Sequence, residues 1–217
     1  MKNKLIFPKI ESFSLTVFHN EPLSHTKENA VLLIAEEKAE VILSRRLYAL
    51  SKGDALLALP YSYLCPKGTD IFFGYQIHFP LDALRTLAPK LYLNSADGGT
   101  AISFSMSNSL QLLSVCETPA TAPAVYTVPL LFSILEKDAL PDAENTLSIP
   151  LPKILRRALV HLEEELPRKI STRELAERYE VSESTVLRLF RTHLNTTPSR
   201  YRHALQTLYQ DRKNGVK

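Results

Sequence analysis

The sequence holds no Trp, two Cys, two Met and six Gly in 217 residues. Each scarcity removes a class of function. Cys65 and Cys116 cannot build a disulfide framework, and neither belongs to a CxxC pair. Six glycines leave little room for a phosphate-cradling loop, and neither a nucleophile elbow nor an HExxH sequence is present. His19 and His25 form no HxH pair and His78 stands alone. No metal, no cofactor and no catalytic residues are therefore expected, and the chain is not read as an enzyme. Long apolar runs are missing too. The longest, Ala30 to Ala35, is roughly a third of a membrane span. The Leu-Ile-Phe stretch before Pro8 is too short for the apolar core of a signal peptide. The expectation is a cytoplasmic protein with no membrane partner.

What is present is ordinary globular composition, 45% hydrophobic and 23% charged, with an uneven charge distribution. Residues 1–148 carry 12 Lys/Arg against 15 Asp/Glu, and residues 149–217 carry 14 against 8. An acidic front and a basic rear point to two units with different partners, the rear one suited to nucleic acid. The boundary is expected in the Pro-containing stretch Thr146 to Pro152, giving domains 1–148 and 149–217.

The front unit reads as short strands separated by turns. Ser12 to His19 alternates apolar and polar residues, whereas Ala30 to Ala35 is continuously apolar, as a strand buried on both faces would be. Further strands are expected at Glu40 to Leu43, Leu47 to Leu50, Ala55 to Leu59 and Ile71 to Phe79, with a Pro60 to Pro66 corner between the last two. Spacing of roughly 8–12 residues suggests an antiparallel sandwich or barrel. Beyond Pro80 the pattern turns helical. Leu81 to Leu91 fits a short helix or a loop, Asn94 to Thr100 a turn, and Ser107 to Val115 and Pro129 to Leu140 fit helices.

The rear unit is helical throughout. Lys153 to Leu166 places Ile154, Leu155, Ala158, Leu159 and Leu162 on one face. Ser171 and Glu174 have the spacing of a capping box ahead of a helix to Tyr179. Ser182 caps the next helix, Glu183 to Leu194, with Val186, Leu189 and Phe190 inward and Asn195 as a left-handed stop. A last helix follows Thr197-Pro198-Ser199. Two short helices with a tight turn, the second basic on its outer side, have the form of a helix-turn-helix, whose second helix fits the major groove of a duplex. Seven Lys/Arg against two acids from Ser182 onward make a phosphate-binding surface. The same spacing also fits a small helical bundle with solvated arginines.

Residues Ile170 to Arg202 resemble the helix-turn-helix of AraC-type transcription regulators. The ordered features are the Leu175-Ala176 pair, Val181-Ser182, the core Arg188-Leu189-Phe190-Arg191, and Pro198 followed by Tyr201. The resemblance implies base contacts from Ser184, Thr185, Leu187 and Arg188, and backbone contacts from Ser182, Arg191, Thr192, Arg200 and Arg202. Asn195 replaces the family's usual Gly. The family joins two such motifs by a long helix, and only one is visible here, so a truncated or single-motif form is expected. Lys52 to Pro60 and Tyr75 to Phe79 are similar to the cupin-like sensor barrel of these regulators. That implies an α+β chain: an antiparallel cupin-like barrel, then helices, then an all-α reader of double-stranded DNA. A small-molecule effector would bind the barrel, with Tyr61, Tyr63, Phe73 and Tyr75 as pocket residues, though these aromatics would serve equally as packing. Cys65 is open to two readings, a sensor thiol or an inert buried cysteine. A homodimer is implied, with Leu130, Leu131, Ile134 and Leu135 pairing subunits or packing on their own barrel. A different function is a truncated partner that binds no DNA but dimerises with full-length regulators and modulates them.

Overall fold

The computed structural model describes residues 16–21, 23, 25–67, 71–94, 99–102, 111, 130–135 and 148–215. Among these, nine strands and two helices make up most of the front part: β1 Thr16–His19, β2 Asn29–Ala35, β3 Ala39–Leu43, β4 Arg46–Leu50, β5 Ala55–Ala58, β6 Leu64–Pro66, β7 Gly74–Pro80, α1 Leu81–Leu87, α2 Pro89–Asn94, β8 Gly99–Ile102 and β9 Ser148–Ile149. Four helices follow: α3 Lys153–Glu164, α4 Thr172–Arg178, α5 Glu183–Leu194 and α6 Pro198–Gly215.

The strands form two antiparallel sheets, ordered β1-β7-β2-β5-β8 and β6-β3-β4-β9. Strand alternation builds four layers from them. In β2, Val31, Leu33 and Ala35 meet Val41, Leu43, Tyr48 and Leu50 of the second sheet. The intervening Leu32 and Ile34 face the opposite way, onto Leu84, Leu91 and the helical residues 131–135. Both faces of β2 are thus covered, which is why its run is continuously apolar. A Leu or Ile buried so completely contributes about 1.5–3 kcal/mol. The outer face of the second sheet offers Ile42, Leu47 and Tyr63 to Leu155, Leu159, Phe190 and Tyr201 of the rear helices.

Several expectations change here. The described strands stay in two stacked sheets and do not close into the cupin-like barrel. The stretch expected as a linker contains β9, where Ser148 pairs with Tyr48 and Ile149 with Leu47. The stretch expected as a turn near Gly99 opens β8, paired with β5, and the expected corner before Pro66 includes β6. Ala88 separates α1 from α2. Leu131, Ile134 and Leu135 are buried against the first sheet, which favours packing on their own sheet over pairing subunits; Leu130 is exposed. The Ser12 to Leu15 part of the first strand, Cys116, and Ser107 to Val115 except Gln111 lie outside the described residues.

Candidate nucleic-acid interface

Local sequence fixes the two helices that form the site. The Ser171 hydroxyl accepts from the backbone N–H of Glu174 at 3.1 Å, while the Glu174 carboxylate accepts from the Ser171 N–H at 3.2 Å. The capping box is therefore complete and satisfies two donors at the start of α4. After α4, Glu180 adopts φ 54, a left-handed position that turns the chain sharply towards α5. The Ser182 hydroxyl caps α5 by accepting from the Thr185 N–H at 3.2 Å. Asn195, at φ 49 and ψ 31, ends α5 in the left-handed conformation expected of it. Pro198 then occupies the first position of α6, where its missing N–H costs nothing.

Burial divides α5 cleanly. Val186, Phe190 and Leu194 are in the core, and Leu189 packs against its edge. Ser182, Ser184, Arg188, Arg191 and Thr192 are exposed on the other side, with Thr185 and Leu187 half-buried. Ser182 Oγ lies 2.8 Å from Ser184 Oγ and 2.9 Å from Thr185 Oγ1, so those hydroxyls are tied up in the cap. Arg188 and Arg191 are the long basic side chains on this face, both with the reach for base edges. Arg200 is exposed at the start of α6. Arg202 is half-buried, and its Nη1 is enclosed with no hydrogen-bond partner among the described residues, making it a poorer backbone contact than Arg200. Glu183 lies in the first turn of α5, where a negative charge suits the helix N-terminus, while Arg173 of α4 pairs with Glu177 at 2.8 Å.

The four aromatic residues expected to line an effector pocket do not converge. Tyr75 stacks on His19 at the first sheet, with ring centroids 4.5 Å apart. Tyr63 is buried beneath the rear helices, Phe73 is 44% exposed, and Tyr61 lies at a different cavity. That cavity, about 760 Å³, runs between residues 25–29 of the sheet unit and the far half of α6, with Tyr61, His78, Thr207 and Asp211 among its walls. A second space of about 500 Å³ shares His25 and Thr207 with it and reaches Arg200 and His203. No sequence motif marks these residues, because they come from opposite ends of the chain. Cys65 is half-buried beside the cluster under the rear helices.

Burial holds His25, His78 and His161 below the ordinary imidazole value of 6.5, with Arg178 adding to the effect at His161. The unfolded chain then takes up protons first as pH falls. The stability from keeping these rings neutral is present above about pH 6.5 and is lost below it. Thermal melts should show a midpoint that drops between about pH 7 and pH 5. A flat profile across that range would contradict these assignments.

Among the described residues, no group of three or more His, Cys, Asp or Glu is placed to hold a metal ion, and no helix is long and apolar enough to cross a membrane. No protein-family model matches the chain, and no curated protein matches it. Similar solved structures include ToxT from Vibrio cholerae O395, 10% identical over 92% of this chain and 81% of that one, with a TM-score of 0.41. They also include the AraC-like transcriptional activator CuxR, 14% identical over 85% of this chain and 69% of that one, with a TM-score of 0.38. At these identities and scores the likeness carries no functional argument, which rests instead on the site itself.

Proposed function

We propose that this chain is a DNA-binding transcription regulator of AraC type, acting by binding rather than catalysis, in the cytoplasm. One observation carries the reading: α4 and α5 form a doubly capped helix pair whose second helix buries Val186, Phe190 and Leu194 and exposes Arg188 and Arg191. Seated in the major groove, α5 would read base edges mainly through Arg188, with Ser184, Thr185 and Leu187 nearby. Ser182, Arg191, Thr192 and Arg200 would fix its register on the phosphates. Residues 149–217 are the reading unit in this proposal. Residues 1–148 are the sensor in this proposal, its described strands forming two antiparallel sheets. The exposed arginines favour this over a partner that binds no DNA.

The small-molecule site of the sensor is proposed at the cleft between residues 25–29 and α6, since it touches both units and includes Tyr61. An occupant that prefers one arrangement of its walls would shift how α5 is presented. A homodimer, which places two reading helices on one duplex, is proposed as the DNA-bound form.

A salt titration on a random-sequence duplex tests the electrostatic half of this reading. Affinity should fall steeply with salt, and Arg200→Ala should weaken binding to all sequences alike while reducing the log–log slope by about one. Binding independent of salt would overturn it.

A further inference from the structure

The sheet unit meets the rear helices through a defined set of contacts. The β3–β4 turn, Ser44-Arg45, reaches α3 and α6. Arg45 Nε lies 3.4 Å from Glu163 Oε2, and the Tyr201 hydroxyl lies 3.1 Å from Glu163 Oε1 and 3.3 Å from the Ser44 carbonyl oxygen. One hydroxyl hydrogen is shared between two acceptors, and the nearer, charged one takes the larger part. Burial and the adjacent Glu163 carboxylate hold the Tyr201 phenol well above its ordinary range, so it remains a donor. Ser44 sits at φ 53, a position serine seldom adopts, and its N–H donates to the Tyr63 carbonyl at 2.7 Å.

Rings continue the path inward. Tyr63, from the sheet side, lies 4.6 Å from Tyr201, and Tyr201 meets Phe190 edge-on at 6.1 Å. At the other end, His25, in the cleft wall, lies 4.5 Å from Tyr63. Phe190 is the buried base of α5, and Tyr201 is fully enclosed. Tyr63 of the sheet unit thus packs on Tyr201, the ring that Phe190 of α5 meets in turn.

We propose that Tyr63 is a positioning residue for DNA reading: its ring seats Tyr201, Tyr201 seats Phe190, and the stack fixes the angle at which α5 presents Arg188. This rests on the DNA-reading function proposed above. Base-edge hydrogen bonds demand placement to within about 0.5 Å, whereas flexible side chains on phosphates tolerate more. Removing the Tyr63 ring should therefore cost selectivity more than total affinity.

The test uses the full chain and compares affinity for a duplex selected by the wild type from a random pool with affinity for random-sequence duplex, at one salt concentration. Tyr63→Leu should lower that ratio about tenfold while random-duplex affinity stays within about threefold. Tyr63→Phe, which keeps the ring, should preserve the ratio. So should Leu33→Ala, which destabilises the core between the two sheets, away from the column. An unchanged ratio in Tyr63→Leu, or an equal fall in Leu33→Ala, overturns the positioning role alone. Should Tyr63→Leu fail to melt cooperatively, Tyr63→Met, which fills the site without a ring, decides on the same scale: a fall of about threefold or more supports the role and no fall overturns it. A wild-type chain that retains no duplex overturns the DNA-reading function itself, and the positioning role with it.

Discussion

Phe190→Ala is expected to lower stability by about 3–5 kcal/mol, with the thermal midpoint falling by about 10 °C. Phe190 is 0% exposed and lies in one cluster with Leu155, Leu159, Leu175, Val186 and Tyr201, so three other helices pack around it. Truncation removes buried ring surface and leaves a hole that short, capped helices cannot close without breaking their caps. The loss is a large share of the 5–15 kcal/mol typical of a folded domain. Leu189, at the edge of the same helix and only partly covered, should cost less than half as much on truncation. Urea melts of both variants check the ranking. A Phe190→Ala loss of under about 1 kcal/mol would mean that the core under α5 is not packed as described.

Gly74→Ala should be comparably damaging for a different reason. Gly74 opens β7 at φ +149, and a Cβ there would lie 2.1 Å from the Ile34 carbonyl oxygen, 3.0 Å from the Phe72 ring and 3.1 Å from the Glu36 nitrogen. Two of these three neighbours are backbone of the central strand or the residues just past it, so neither can swing aside. The same residue holds the end of β1: its N–H donates to Asn20 Oδ1 at 2.8 Å and its carbonyl accepts from the Asn20 N–H at 3.0 Å. Overpacking and backbone strain together are expected to cost about 2–5 kcal/mol. Circular dichroism melts should show the loss, and a wild-type midpoint would contradict this account of the β2–β7 junction.

The parts of the fold legible in the sequence are those set by neighbours a few residues apart. Ser171 with Glu174, Ser182 with Thr185, and Asn195 at φ 49 are local bargains between side chain and backbone, and each occurs where the residue types indicate. The unbroken run Ala30 to Ala35 is legible for a related reason: only a strand covered on both faces tolerates it. β9 was not legible, because a two-residue strand exists only through the open edge of β4. Nor was β6, which contains Pro66 yet pairs along the edge of β3, where its missing N–H is tolerated.

The candidate site divides in the same way. The exposed and buried sides of α5 follow from helical period, so Arg188 and Phe190 fall as their spacing indicates. The pocket aromatics do not follow, because closeness in sequence says nothing about which of two sheets, and which face, each ring joins. Tyr63 ends up in the contact with Tyr201 and Tyr75 against His19. The cleft at His25 and the contact of Arg45 with Glu163 depend on how the rear helices settle on the second sheet, which periodicity does not encode.

Selection of duplexes from a random pool by the intact chain, repeated with Arg188→Ala, tests most directly whether α5 reads DNA. The wild type should enrich a defined sequence, and the variant should lose about 1–3 kcal/mol of discrimination at the bases it contacted while still retaining duplex at low salt. Enrichment of the same sequence to the same degree by both proteins would contradict the assignment of α5 as the reading helix.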